Sequence, residues 1–159
     1  MRLWHYELIP YLPKAMLVSQ WRECIAIKRQ WEKGTLKHRL VSYVVDYNKM
    51  FFWDYVNRVC IQMKDRNIKY NKKYRDEFYE WCDVAHCIMK PPILNYREHN
   101  DRYLKQCLYN LQEKADRGII TPQEWQLIYD NFKEYLDWEE SYFLSFLKNW
   151  LSTLKLMIL

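Results

Sequence analysis

Glycine is nearly missing from this 159-residue chain, which has 2 glycines and 5 prolines. Tight turns draw on those residues, so an all-β sandwich with its many hairpins is disfavoured. Long helices joined by few breaks remain. The cysteines (Cys24, Cys60, Cys82, Cys87, Cys107) are odd in number and lack paired spacing, which argues against a disulfide framework. Each sits in an apolar, helix-like context, where a thiol behaves as a small hydrophobe. Cys82, His86 and Cys87 lack the close cysteine pairs of a structural zinc site, and no metal or organic cofactor is expected. The first residues contain no apolar run long enough for a signal peptide. Lys148 and Lys155 interrupt the apolar C-terminus, so no membrane-spanning stretch is expected. A cytoplasmic protein with reduced thiols fits this pattern best.

Aromatic residues are abundant, with 14 tyrosines and 8 tryptophans. Such rings serve core packing and also stacking on nucleobases, and packing is the commoner use. The net charge is +5, unevenly spread. Residues 1–118 hold 22 of the 25 basic side chains and 14 of the 20 acidic ones, whereas residues 119–159 are net acidic. A basic body suits a polyanionic partner, although modest positive charge is also ordinary.

The length fits one all-α domain. Pro13 suits the opening turn of a first helix running from Lys14 to about Trp31, with Leu17, Trp21, Cys24 and Ile25 at helical spacing. Ser19, Arg22, Glu23 and Ala26 lie on a neighbouring face, and Gly34 is its stop. Residues 36–47 read as a second helix, with strand as the alternative because of Val41, Val44 and Val45. Residues 49–66 read as a strong helix with Phe52, Val56, Val59 and Met63 on one stripe. Further helices are expected over 74–89, ended by Pro91 and Pro92, and over 98–117, ended by Gly118. Thr121-Pro122-Gln123-Glu124 has the form of a capping box. It opens an extension, residues 119–159, on a body of residues 1–118. The amphipathic stripe Tyr142, Phe143, Phe146, Leu147, Trp150, Leu151 and Leu154 is expected to pack on that body, with self-association or a partner helix as the rival reading.

The chemistry concentrates at the start. Chain-terminal amines titrate two to three pH units below lysine side chains, so roughly a quarter are uncharged near neutrality, against about one lysine in a thousand. An uncharged amine can attack a sugar carbon and form a Schiff base. Lys28, Arg29, Lys33, Lys37, His38 and Arg39, interleaved with Trp31, read either as a phosphate-binding rim or as a solvated helix end. A second basic run, Lys64 to Arg75 with Tyr70 and Tyr74, is equally open. His99 reads as a helix cap.

The string MRLWHYELIPYLPKAMLVSQWREC (residues 1–24) resembles the opening of the phage-type pyrimidine-dimer DNA glycosylase family, within a subfamily that begins MRLWH. Residues 37–55 and 97–111 resemble later blocks of it. The resemblance implies a compact helical fold and an N-terminal amine, here on Met1, that attacks a deoxyribose carbon. It further implies a glutamate on the first long helix, here Glu23, and Arg2 and Arg22 against flanking phosphates. The family's glutamine–histidine pair is replaced here by Lys14-Ala15 or Ala15-Met16, so lyase chemistry is better supported than dimer specificity. The expected function is a DNA-repair glycosylase and abasic-site lyase acting on damaged double-stranded DNA, with Met1 and Glu23 catalytic. Arg2, Arg22, Lys28, Arg29, Lys37 and His38 are the DNA-binding candidates. The alternative is a non-catalytic nucleic-acid-binding or interaction protein that keeps the fold. Because methionine removal needs a small second residue and Arg2 is large, mass spectrometry of the N-terminal peptide should find Met1 retained; a peptide starting at Arg2 would contradict the assignment of the amine.

Overall fold

Helix ends, where backbone groups lack partners, are satisfied here by a small repeated set of side chains and turns. A computed structural model describes residues 1–86 and 95–136. Its α-helices are α1 (Lys14–Glu32), α2 (Lys49–Asp65), α3 (Lys72–Trp81), α4 (Asp101–Asp116) and α5 (Pro122–Leu136). Short 3-10 helices occur at Tyr6–Tyr11, Ser42–Asp46 and Val84–His86. Among the described residues there is no strand, and the all-α expectation holds. No helix among them is long and apolar enough to cross a membrane.

Three asparagines and a threonine start α2 to α5, each side-chain oxygen accepting from a backbone N–H of the first turn, whereas α1 follows Pro13 with no side-chain cap. Asn48 accepts from Met50 at 2.9 Å, Asn71 from Lys73 at 3.0 Å and Asn100 from Tyr103 at 3.1 Å. The capping box is present: Thr121 Oγ1 accepts from the Glu124 N–H at 3.3 Å, and Glu124 Oε2 accepts from the Thr121 N–H at 3.0 Å.

The helix stops are also uniform. After α1, Gly34 (φ 64°) donates to the Trp31 carbonyl and Thr35 to that of Gln30, the paired bonds of a Schellman turn. Gly118 (φ 69°) ends α4 in the same way, with bonds to Ala115 and from Ile119 to Lys114. With glycine exhausted, Asn67 (φ 54°) ends α2 and Asp83 (φ 52°) follows α3 in the same left-handed conformation.

Several expectations shift. Residues 36–47 form turns and a short 3-10 helix, not a full second helix. β-Branched Val41, Val44 and Val45 lose rotamer freedom in a helix, and the His38 carbonyl accepts from both Val41 and Ser42, fixing a turn. The helix expected over 74–89 runs instead from Lys72 to Trp81. That expected over 98–117 begins only at Asp101, and its cap is Asn100 instead of His99. The proline pair and the stripe from Tyr142 to Leu154 lie outside the described residues.

The chain divides into two units, Met1–Cys107 and Leu108–Leu159. In the first, α2 is the hub: it packs on α1, on α3 and on the first two 3-10 segments. Met50, Phe52, Trp53, Tyr55, Val56, Val59, Cys60 and Met63 are all buried, a wider face than one stripe because the helix has neighbours on several sides. On α1 the buried set is Leu17, Gln20, Trp21, Cys24 and Ile27. Phe52 is fully buried and its ring centre lies 6.0 Å from that of Trp31 and 5.7 Å from that of Phe78. In the second unit Leu108, Leu111, Ile120, Ile128 and Phe132 are buried.

Removing the Phe52 ring should leave a cavity where α1, α2 and α3 meet. Phe52→Ala is expected to cost roughly 3–5 kcal/mol in urea unfolding, and a loss below about 1 kcal/mol would show that this aromatic cluster is not the core.

Candidate active site

Residues 1–5 precede the first 3-10 helix, and side chains bracket their backbone. Glu23 Oε2 accepts from the Arg2 N–H at 2.9 Å, and Gln20 Oε1 accepts from the Trp4 N–H at 3.3 Å. Tyr103 donates to the Leu3 carbonyl at 2.6 Å, and Tyr55 donates to the Trp4 carbonyl at 2.8 Å. The thioether of Met1 lies 3.8 Å from Gln30 Nε2. Thus positions 4, 2 and 1 meet α1 at 20, 23 and 30, and the chain start runs antiparallel to the helix. The geometry follows from period: residues 2 and 4 share a side of an extended segment, while Gln20 and Glu23 sit one helical turn apart. Gln20 is fully buried, so its amide is held in place by these partners and by Cys24, 3.8 Å away.

This arrangement brings the two expected catalytic groups together. Glu23 is bonded to the peptide nitrogen that follows Met1. The covalent path from that nitrogen to the α-amine is about 4.3 Å, so Oε2 lies within roughly 7 Å of the Met1 amine. His38 is also present, its Nε2 3.5 Å from the Met1 nitrogen. Residues 1 and 23 are half-buried and His38 is exposed, so the amine sits at an accessible edge.

The other expected residues divide. Arg22 and Lys37 are exposed, on α1 beside Glu23 and in the chain beside His38 respectively. Arg2 folds over the Trp4 ring at 5.2 Å and interacts with the Cys107 thiol; its Nη1 is buried with no oxygen or nitrogen partner among the described residues. Lys28 pairs with Glu32 at 2.6 Å and lies 5.5 Å over Trp81. Arg29 stacks on Tyr74 at 5.4 Å. The partners described for Lys28 and Arg29 therefore lie on α1 and around α3, not at the chain start.

Behind the chain start lies an aromatic cluster that sequence reading missed. His99 is buried among Tyr43, Tyr96, Tyr55, Tyr103 and His5. Its Nε2 is 2.9 Å from the Tyr43 hydroxyl. Burial, reinforced by His5 and Arg58, pushes its pKa down to about 3. His5 is lowered in the same direction by burial. Its Nδ1 accepts from the Glu7 N–H at 3.4 Å, so Nε2 carries the proton it donates to the His99 carbonyl at 3.0 Å. Burial likewise raises Tyr43, Tyr55 and Tyr103, keeping those hydroxyls as neutral donors. The thiols of Cys24, Cys60, Cys82 and Cys107 are buried and pushed up in the same way, Cys60 to about 12. They are packing groups, not nucleophiles.

Residues 1–76 match the family of pyrimidine dimer DNA glycosylases, a DNA-repair family. The matched region contains Met1, Glu23, His38 and α2. The block at 97–111 and the tyrosine at 103 lie beyond it. Comparison with curated proteins and with solved structures gives no match.

The neutral histidine pair has a consequence for acid stability. Unfolded His99 takes up a proton near 6.5, whereas the folded ring resists until about 3. Its contribution is therefore complete above pH 6.5 and is lost as pH falls toward 3, by at most about 1.4 kcal/mol per pH unit. Between pH 6.5 and 5, where carboxylates stay largely ionised, the melting temperature should decline. His99→Gln should flatten that decline; an unchanged slope would remove His99 as its source.

Proposed function

We propose that the protein is a DNA-repair glycosylase that also cleaves at abasic sites, with the α-amine of Met1 as nucleophile and Glu23 as the carboxylate that works on the sugar. The observation carrying this reading is the 2.9 Å bond between Glu23 and the Arg2 N–H. It ties Glu23 to the residue that follows the amine although Arg2 and Glu23 lie 21 positions apart in the chain. The family match over residues 1–76 supports the same reading.

In this mechanism the uncharged amine attacks C1′ of the damaged nucleotide. The glycosidic C–N bond breaks and the base departs with its electron pair. Loss of the amine proton and opening of the sugar ring leave a C1′ imine. The imine draws electron density from C2′, so a C2′ proton becomes acidic and Glu23 removes it. The resulting electron pair forms the C1′–C2′ double bond of an enamine; as the protonated imine re-forms, that pair moves to C2′–C3′ and the C3′–O bond breaks, so the 3′ phosphate leaves with its electrons and the strand is cut. Before that step the carboxylate also stabilises positive charge on the sugar as the base leaves. One oxygen holds the Arg2 N–H, and a carboxylate has lone pairs enough to act on substrate as well.

The phosphates on either side fall to the cations around the amine. Arg22 and Lys37 are exposed for this role. Arg2 would meet a phosphate oxygen only if its guanidinium turned outward from the Trp4 ring. Lys28 and Arg29 would join only by leaving their present partners. Pyrimidine dimers are the lesion named by the family, and a plain abasic site is the simpler substrate.

Borohydride reduction with abasic-site duplex DNA should trap a covalent complex with the wild-type chain. An N-terminal extension should abolish it. Glu23→Gln should still be trapped but should cut the strand on the order of 100-fold more slowly. DNA binding with no trapped complex under these conditions would reject the enzyme in favour of a non-catalytic binding protein.

A further inference from the structure

The contact between Met1 and His38 has a direction, set by a third group. The Leu40 N–H donates to His38 Nδ1 at 3.4 Å. A backbone N–H can only donate, so Nδ1 must present its lone pair. In a neutral imidazole the proton then resides on Nε2. Nε2 is the atom 3.5 Å from the Met1 nitrogen. An ammonium has no lone pair and would place donor against donor at that contact. An uncharged amine accepts the Nε2 proton without conflict.

We infer that His38 is a catalytic residue that holds the Met1 amine in its uncharged, nucleophilic form by donating a hydrogen bond to it, with Leu40 fixing the imidazole tautomer. The inference rests on reading Met1 as the nucleophile. A hydrogen bond made to the neutral form of a group favours that form. The charged groups around this contact are Arg2 and Glu23, joined through the Arg2 N–H, and Lys37 and Arg39, which flank His38 in the chain. The His38 donor acts at the nitrogen itself. When the amine attacks, its lone pair passes to C1′ and the Nε2 bond is given up; no proton has to move before the new bond forms.

The local fold supports this role over a phosphate contact alone. The Schellman turn at Gly34 reverses the chain after α1 and carries residues 35–38 back toward the start. The His38 carbonyl then accepts from Val41 and Ser42, so both the ring and the backbone of residue 38 are held by its own turn. Lys37 and Arg39 are exposed on either side and remain free to meet phosphates.

Glutamine supplies a direct test because its amide reproduces both polar atoms: Oε1 can accept from Leu40 and Nε2 can donate to Met1. His38 is exposed, so substitutions there should leave the fold intact. Without DNA, acetic anhydride labelling of the Met1 amine, read by mass spectrometry, should be about five-fold slower at pH 7 in His38→Ala than in wild type. It should return near the wild-type rate in His38→Gln. At about pH 10 terminal amines are uncharged whatever their neighbours, so the three rates should converge. With abasic-site DNA at saturation, so that any change in affinity is removed, the rate of borohydride trapping should follow the same order. Equal labelling rates at pH 7 in all three proteins, or a His38→Gln protein as slow as His38→Ala, would overturn the inference. Labelling that follows the expected order while wild type forms no trapped complex would instead sink the glycosylase reading and leave the role of His38 at the amine intact.

Discussion

The hydrogen bond from the Arg2 N–H to Glu23 is the constraint on which the site depends. A chain terminus is ordinarily the most mobile part of a domain, and ordering it costs about 1–2 kcal/mol per residue. Here that cost is offset by four side-chain bonds to residues 2–4, from Glu23, Gln20, Tyr103 and Tyr55. At about 1 kcal/mol for each, together with burial of Leu3 and Trp4, they suffice to keep the segment in one conformation. If the Met1 amine is the nucleophile we propose, such anchoring preorganises it, and little of the entropy of bringing it to the carboxylate is left for the reaction step.

The same bonds explain why the interior of the first unit is rich in phenols and imidazoles. Tyr55 and Tyr103 each reach a backbone carbonyl of the chain start, while Tyr43 satisfies His99 and His5 satisfies the carbonyl of His99. Buried polar atoms need such partners. The aromatic bodies fill volume while the polar tips of Tyr55, Tyr103 and His5 address the backbone, a division of labour that leucine or phenylalanine could not provide. Much of the high aromatic content is thus accounted for by packing and anchoring before any ring is assigned to a nucleobase.

Legibility in the sequence followed the range of the interactions. The capping box at Thr121, the turn at Gly34 and the span of α1 depend on residues a few places apart, and the sequence carried them. Glu23 and Met1 were linked only through a resemblance, since nothing local connects a terminus with the third turn of a later helix. Gln20 was passed over because a buried glutamine looks like any polar residue until its partner, the Trp4 N–H, is known. His99 looked like a cap because it precedes a helix, yet its surroundings come from residues 5, 43, 55, 96 and 103. The basic string from Lys28 to Arg39 was one feature by composition; the end of α1 divides it, sending Lys28 and Arg29 to the aromatic rings near α3 and His38 to Met1.

Scarcity of glycine leaves its own mark on the architecture. Gly34 and Gly118 adopt positive φ with nothing within 4 Å of where a Cβ would be, so what they supply is conformational freedom, not space. Asn67 and Asp83 do the same work with side chains attached, at φ values that L-residues tolerate less readily. The molecule therefore carries unrealised stability at the exit of α2, and an engineer wanting a hardier scaffold could recover it at Asn67 without touching any group near the amine.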